Sequence, residues 1–434
     1  MSIEFHNSTP WPVCLLGEVS EITLGGTPST DVADYWGGSI PWMASGEVNK
    51  RHIFEVDGRI TEIGLASSNA TLVDPPAVAI GLAGQGKTRG TAALVHIRVS
   101  TNQSIALIKS KSPSLHTNYL FHNLDHRYEE LRSRSVGGGR AGLSREILQR
   151  VPVALPDPAE QSRIAAVLDT VDEAIAKTEA VIAKLKQVRA GLLHDLLTRG
   201  LDENGQLRDP IAYPEQFQDS PIGMIPRDWN FESLGARLQR NAGVIQTGPF
   251  GSQLHAHEYT TDGVPVVMPQ DILEGGFDDA NIARISINKA DELRRHYLKL
   301  GDLIFARRGD LSRCSAVTER EVGWLCGTGC LLMRFEQGTL SSSWLSLAYR
   351  HDFGQRQITA RAVGTTMVNL NTTLLAHLVF AFPIKEEQED IVRRVADADT
   401  LVQTESANLA KLNLLKSALM ADLLTGRVRV PASL

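Results

Sequence analysis

The chain has 434 residues, 42% apolar and 22% charged, which suits globular domains with ample cores and leaves room for about two to four of them. A formal net charge of −6 gives no overall attraction to a polyanion, so any nucleic-acid binding must come from local basic clusters. The first residues, MSIEFHNSTPWPV, are no basic segment followed by an apolar run, and no apolar run reaches membrane length; a cytoplasmic protein without membrane spans is expected.

Residues 1–155 read as a mixed α/β globule opening on Trp11, Leu16-Gly17 and Val19. Strand-like runs at 77–80 and 92–95 are separated by Gly-rich turns, and 119–132 reads as a short helix. Residues 156–200 read as one long helix. Asp157 is placed to cap it, Pro158 suits the first helical position, and Glu160 has capping-box spacing. Leu168, Ile175, Ile182 and Leu196 hold one heptad position, and Val171, Leu185 and Leu192 the other. About 40 residues at 1.5 Å each give a rod of roughly 60 Å, whose apolar seam requires a partner. Residues 201–226 are polar and Pro/Gly-punctuated, which reads as a linker, and 227–382 as a second mixed globule.

Residues 383–427 supply the partner helix, because they repeat the first one without a gap. Gln161 meets Gln388, an offset of 388 − 161 = 227, and at that offset Pro156 meets Pro383, Ile164 meets Ile391 and Asp172 meets Asp399. The helix ends Asp195-Leu-Leu-Thr198 and Asp422-Leu-Leu-Thr425 coincide too, and Val395, Val402, Leu409, Leu419 and Leu423 carry the second seam. Arg189 and Lys416 fall on a nominal seam position in both copies, which suggests that the seam drifts there or that the pair lies at a crossing edge. The globules are related as well: Pro41 with Glu47-Val48 parallels Pro265 with Asp271-Ile272, and Arg134 and Leu143 meet Arg361 and Leu370 at the 227 offset. The chain is an internal duplication with unlike middles. The expected fold class is α/β (α+β): two globular domains related by an approximate internal two-fold, separated by two long helices that form an antiparallel coiled coil.

The duplicated Glu-Gln-x-x-Ile helix start (Glu160-Gln161 with Ile164, Glu387-Gln388 with Ile391) and the two Asp-Leu-Leu-Thr ends resemble the DNA-specificity subunits of type I restriction–modification enzymes. So do Gln246-Thr-Gly-Pro-Phe-Gly-Ser252 followed by Gly263-Val-Pro265, and Asp219-Ser-Pro-Ile-Gly223 with Ile225-Pro226 and Trp229. The resemblance covers essentially the whole chain. It implies a non-catalytic subunit whose two target-recognition domains each read half of a bipartite duplex DNA site. It implies two methyltransferase subunits docked on the helical frame, and two motor/nuclease subunits joining them for restriction. S-adenosylmethionine, ATP and magnesium then belong to those partners, and this chain binds no cofactor. A stiff rod would hold two half-sites about one DNA turn, roughly 34 Å, apart.

Candidate DNA contacts are basic loop residues, because phosphates position a protein and base edges specify its site. In the first globule these are Lys87, Arg89, Arg134 and Arg140; in the second, Arg307, Arg308, Arg313 and Arg361, with Gln246 and Ser252 beside the Gly-Pro-Phe-Gly turn. Retention of Arg134 and Arg361 by the duplication suggests a phosphate or structural role. Candidate partner contacts are the repeated Glu160, Gln161, Glu387 and Gln388, the off-seam apolar Val188 and Leu415, and Asp195 and Asp422, for which capping or local pairing is the plain alternative.

Three motifs point elsewhere. Gly81-Leu-Ala-Gly-Gln-Gly86-Lys87-Thr88 satisfies the P-loop pattern, but a helix must follow to cradle phosphates, and the next residues are β-type; a basic hairpin tip is the reading preferred. Asp74-Pro75-Pro76-Ala77 lacks the aromatic of an amino-methyltransferase motif and reads as a turn. Cys326 and Cys330 lack a second ligand pair, so with Cys14 and Cys314 they read as reduced structural thiols rather than a zinc site. The alternatives to DNA recognition are therefore a nucleotide-binding protein using 81–88, or a coiled-coil scaffold that reads no DNA.

Overall fold

Ala77–Gly81 and Ala92–Val95 are short, wholly buried runs, and their alternate residues feed two different cores. Val78, Ile80, Ala92 and Leu94 face one core, and Ala77, Ala79, Ala93 and Val95 face the other. That is the two-residue period of a strand covered on both faces. The computed structural model describes residues 9–84, 86–134, 142–336, 338–362 and 369–432, without the side chains of 361 and 362. The chain divides into two compact units, Met1–Val181 with Glu405–Leu434, and Ile182–Thr404.

In the first unit a five-stranded sheet runs Ser20–Leu24, Ile105–Ser110, Ala77–Gly81, Ala92–Val95, His52–Ile53, antiparallel except for the last pair. One face packs against helix Thr117–His126 through Leu120, Phe121 and Leu124. The other packs against Met43, Val48 and Ile53. The helical stretch expected at 119–132 is two helices, Thr117–His126 and Tyr128–Ser133, broken at Arg127. Strand Val13–Leu15 pairs with Pro152–Ala154 and brings the start of the globule to its end.

The second unit repeats the plan. A four-stranded antiparallel sheet runs Val244–Thr247, Cys330–Arg334, Leu303–Ala306, Cys314–Ala316. Leu303, Phe305, Leu331 and Met333 face helix Ser342–Arg350, whereas Ile304, Ala306 and Leu332 face Val267, Ile272 and Phe277. Asn230–Ser233 pairs with Val379–Phe382, as Val13–Leu15 does with Pro152–Ala154. Cys314, Cys326 and Cys330 are buried and unbridged, and burial raises each thiol pKa well above its ordinary value. Among the described residues no group of His, Cys, Asp and Glu is arranged to hold a metal, and no helix is long and apolar enough to cross a membrane.

The long helices are Pro158–Thr198 and Lys385–Leu423. Asp157 caps the first, its carboxylate accepting from the Glu160 amide at 3.0 Å. Ile175, Thr178, Ile182, Leu185, Arg189, Leu192 and Leu196 are buried or half-buried at steps of three and four residues. So are Val402, Glu405, Leu409, Leu412, Lys416, Leu419 and Leu423, a regular heptad seam in both helices. In the first unit Ile164, Ala165 and Leu168 share a core with Met420, Leu423 and Leu424. In the second, Leu196 and Leu197 share one with Ile391 and Val395. Each unit thus holds an antiparallel helix pair against its globule.

Two sequence expectations need correction here. The seam does not drift at Arg189 and Lys416. Arg189 donates to Asp399 at 2.8 and 3.1 Å within the second unit, and Lys416 reaches Asp172 at 2.6 Å within the first, so each cation meets an acid of the opposing helix. Nor is 201–226 a loose linker. Leu201, Phe217 and Ile225 are buried, and Phe217–Ser220 pairs with Gly223–Pro226 as a hairpin, so the Pro/Gly punctuation marks turns rather than flexibility.

Candidate nucleic-acid interface

Antiparallel pairing decides which loops of a sheet meet. In the first unit the strand ends at Leu24 and Gly81 and the strand starts at Ala92 and Ile105 lie along one edge, so loop residues 25–30, 82–84, 86–91 and 102–104 gather there. The Gly25 and Gly26 amides donate to the Ile105 and Thr101 carbonyls at 3.2 and 2.8 Å, and Leu82 N donates to Ser104 O at 2.7 Å. A Cβ at Gly25 would strike the Asn102 carbonyl, so this approach requires glycine. Thr27 is hydrogen-bonded to Gln103, and Trp42 Nε1 donates to Gly26 O at 2.9 Å. The loops therefore form one surface stitched by backbone bonds.

Residues 82–84 and 86–91 belong to a hairpin loop held from below. Tyr128 Oη donates to Lys87 O at 3.1 Å, and Arg132 donates to the carbonyls of Gly86 and Arg89 at 2.7 and 3.2 Å while stacking on Tyr128. The Lys87 side chain is exposed and Arg89 half-buried. The chain turns from this loop directly into strand Ala92–Val95, so no helix N-terminus stands where a P-loop needs one, and the phosphate-cradle geometry is missing. Arg134 is paired with Glu130 at 2.7 Å, and Glu130 also holds the buried Arg127. Burial would raise the Glu130 carboxyl pKa, but Arg127 and Arg134 override that and lower it. Arg140 lies outside the described residues, and Arg361 falls in helix Asp352–Ala362 with its side chain likewise outside them.

The second unit builds the same edge from other residues. Loops 248–253, 307–313 and 327–329 leave the ends of Val244–Thr247, Leu303–Ala306 and Cys330–Arg334 on one side. Gly248 N donates to Cys330 O at 3.0 Å and Arg307 N to Gly329 O at 2.8 Å, and Thr328 Oγ1 donates to Pro249 O at 3.0 Å. A Cβ at Gly248 would strike the Gly327 carbonyl, as at Gly25. Arg308 and Ser252 are exposed and Arg307 is half-buried. Arg313 is turned inward, donating to the carbonyls of Gln270 and Ile272 at 2.7 and 3.2 Å. The Gln246 amide donates to Arg295 O at 2.7 Å, so it fastens the loop carrying Arg294 and Arg295. Those two arginines are exposed, and Phe250, 52% exposed, stands beside them on the turn that Gln253 caps at 3.1 Å.

Sequence reasoning named Lys87, Arg89, Ser252, Arg307 and Arg308, which the folds bring to the two sheet edges. It missed Thr27, Gln103, Phe250, Arg294 and Arg295, although the adjacent arginines and the aromatic between glycines were visible signals. Arg134, Arg313 and Gln246 spend their polar groups inside the chain.

The repeated helix starts are internal fasteners as well, which corrects their expected role as docking groups. Gln161 Oε1 accepts from His116 N at 2.8 Å, and its amide donates to the Ser114 and Pro156 carbonyls at 2.7 and 2.8 Å. Gln388 repeats this with Ser341 N at 2.9 Å and Pro383 O at 2.8 Å. Glu160 is buried under a two-point bond from Arg429 at 2.6 and 2.7 Å, so it does not close the capping box. Glu387 is buried and accepts from Leu201 N, Arg208 and Trp229 Nε1 at 2.7, 2.8 and 3.1 Å. A buried carboxylate must be satisfied inside the chain, and these are. Asp195 pairs with Arg199 at 3.6 Å and Asp422 with Arg427, so local pairing is realised in both copies. Val188 and Leu415 remain exposed, at 52% and 49%.

Comparison with known proteins agrees with this architecture. Residues 9–187 match the type I restriction modification DNA specificity domain. The chain is 23% identical over 340 residues to the type I restriction enzyme MjaVIII specificity subunit of Methanocaldococcus jannaschii, covering 76% of this chain and 74% of that one. It is 23% identical over 339 residues to the EcoBI specificity subunit of Escherichia coli, covering 75% and 69%. The crystal structure of a type I restriction-modification S subunit from M. genitalium shares the fold with TM-score 0.56 at 15% identity, over 97% of this chain and 98% of that one. A chain from a structural study of type I restriction-modification assembly gives 0.60 at 17%, over 98% and 100%. Residues 9–187 are thus similar to the type I restriction modification DNA specificity domain, and over about three quarters of its length the chain is similar to specificity subunits of type I restriction enzymes.

Proposed function

We propose that this chain is the sequence-reading subunit of a type I restriction–modification complex, binding a bipartite, asymmetric duplex site with one sheet edge per half-site. The supporting observation is the repeated edge: each unit gathers three loops at the same end of its central sheet, on glycines that admit no side chain, while the loop sequences differ. Exposed cations there (Lys87; Arg294, Arg295 and Arg308) supply phosphate attraction that the net charge of −6 does not. Phe250 offers an apolar contact, and arginine offers two-point hydrogen bonds to guanine.

In this proposal the chain carries out no chemistry and holds no cofactor. Two DNA adenine methyltransferase subunits dock on the long helices, where Val188 and Leu415 leave apolar surface uncovered, and bring S-adenosylmethionine. Two restriction/motor subunits, where the system has them, bring ATP and magnesium. The complex works in the cytoplasm.

Single-molecule sequencing of host DNA for N6-methyladenine, with the gene intact and deleted, tests this. A split motif with two defined halves and an unspecified middle should vanish on deletion. A methylome indifferent to the gene would instead favour a scaffold without DNA reading.

A further inference from the structure

Each unit contains one cluster of four alternating charges where the globule meets its helix pair. In the first, Arg51 donates to Asp125 at 3.0 Å through both Nη atoms and to Asp172 at 3.1 Å. Lys416 closes the ring, at 2.6 Å from Asp172 and 3.4 Å from Asp125. In the second, Glu274 meets Arg350 at 2.8 Å and Arg189 at 2.6 Å, and Arg189 meets Asp399 at 2.8 Å. The helices contribute the same signs to both clusters, Asp172 with Lys416 and Asp399 with Arg189. The globules contribute opposite ones.

The globular members occupy matching places. Asp125 is nine residues beyond His116, whose amide Gln161 accepts, and Arg350 is nine residues beyond Ser341, whose amide Gln388 accepts (125 − 116 and 350 − 341). The loop members come from one turn. Glu47 caps Ala44 N at 3.0 Å and Asp271 caps Met268 N at 2.8 Å, 224 positions apart, and that offset carries Arg51 onto Gly275, the neighbour of Glu274. Both turn residues have left-handed backbone, φ 61° at Arg51 and 75° at Gly275. Glycine is the natural occupant of that conformation, so an arginine there bears a backbone penalty that its side chain must offset.

We infer that these quartets are electrostatic keys: Arg51 with Asp125, and Glu274 with Arg350, are positioning residues that fix the orientation of each recognition globule on its own helix pair. The signs alternate around the ring of the first unit, so a single exchanged residue sets like charges together, and only inversion of all four members restores alternation. Arg51→Glu places a carboxylate beside Asp125 and Asp172; adding Asp125→Arg relieves the first contact but leaves like charges at Asp172 and Lys416, and adding Asp172→Lys and Lys416→Glu as well restores alternation at all four contacts.

The test uses the full chain carrying Cys14→Ser and spin labels at Thr71→Cys and Lys177→Cys, both in the first unit, with the label distance read by pulsed electron paramagnetic resonance. Arg51→Glu should broaden or shift the distance distribution, and the four-residue inversion should return it to the starting one. Arg51→Gly, which relieves the left-handed backbone, should broaden it as well. A distribution unchanged by Arg51→Glu, or a four-residue inversion as broad as the single exchange, overturns the inference.

The consequence for DNA rests on the function proposed above. With the methyltransferase partners present, Arg51→Glu should lower discrimination between cognate and scrambled duplex roughly tenfold, with recovery in the four-residue inversion. Distances that respond while discrimination does not would leave the keys standing and count against the DNA-reading role.

Discussion

The two units fasten their helices alike and present different loops. Gln161 and Gln388 accept from the amide of the residue just before a globular helix and donate to the proline carbonyl five residues before them. One residue earlier the likeness is already partial. Glu160 is held by Arg429, whose side chain is 55% exposed, whereas Glu387 gathers Leu201 N, Trp229 and an Arg208 that is 9% exposed. At the sheet edges only the glycines and their backbone bonds correspond. A frame bonded to backbone tolerates divergent side chains around it, so duplication could keep the scaffold and vary the reading surface.

The sharpest way to break this comparison is at the buried glutamates. Glu387→Ala removes the acceptor of the buried Leu201 amide and Trp229 indole N–H and leaves Arg208 paired with Asp228, and should cost about 3–5 kcal/mol in denaturant unfolding followed by tryptophan fluorescence. Glu160→Ala frees an arginine that can turn to water, and should cost clearly less. Equal losses would mean that the two fasteners are equivalent despite their different burial.

A second difference, one of degree, appears on acidification, since burial also lowers the pKa of His52, His96 and His126 in the first unit. Burial, with Arg295 adding to it, lowers the pKa of His296 to about 4, and burial, with His194 adding to it, does the same for His351, both in the second unit. The folded form keeps these imidazoles neutral while the unfolded chain protonates near pH 6.5, so their contribution is complete above about 6.5 and is lost as pH falls toward 4. His296→Gln should flatten the dependence of unfolding free energy on pH across that window, measured between pH 6.5 and 4.5. An unchanged slope would remove His296 from the account. The carboxylates titrate lower. Burial opposes ionisation of Asp125 and Glu274, but Arg51 overrides it for the first and Arg350 with Arg189 for the second. Their folded pKa values lie below the unfolded ones, so that contribution persists until pH drops below about 4.

The smallest expected effects are at the loops. Lys87→Ala and Arg308→Ala should each weaken duplex binding and reduce the slope of log K against log salt by about one, without changing thermal stability. Arg134→Ala should leave the slope unchanged, because its guanidinium is committed to Glu130. A slope that moves with Arg134 rather than Lys87 would shift the contact surface from the hairpin tip to the end of helix Tyr128–Ser133.

The long helices, the Asp157 cap of the first and the helix pairing were legible in the sequence, because a heptad and an N-cap are local patterns and the duplication displayed the heptad twice. Lys87 was legible as a hairpin tip because two apolar runs flanked a glycine-rich turn. The partners of Glu160, Gln161, Arg189 and Lys416 were not. Glu160 finds Arg429 at a separation of 269 residues and Arg189 finds Asp399 at 210, and no local pattern encodes pairs so distant.

By itself the sequence determined an α/β duplication with two amphipathic helices, since periodic burial of apolar side chains needs only the order of residues. Only the tertiary structure decided that repeated polar residues face inward, that three dispersed loops meet at each sheet edge, and that opposite charges key the two globules. Those outcomes depend on antiparallel strand register and on satisfying every buried polar group, and both are fixed when the elements pack.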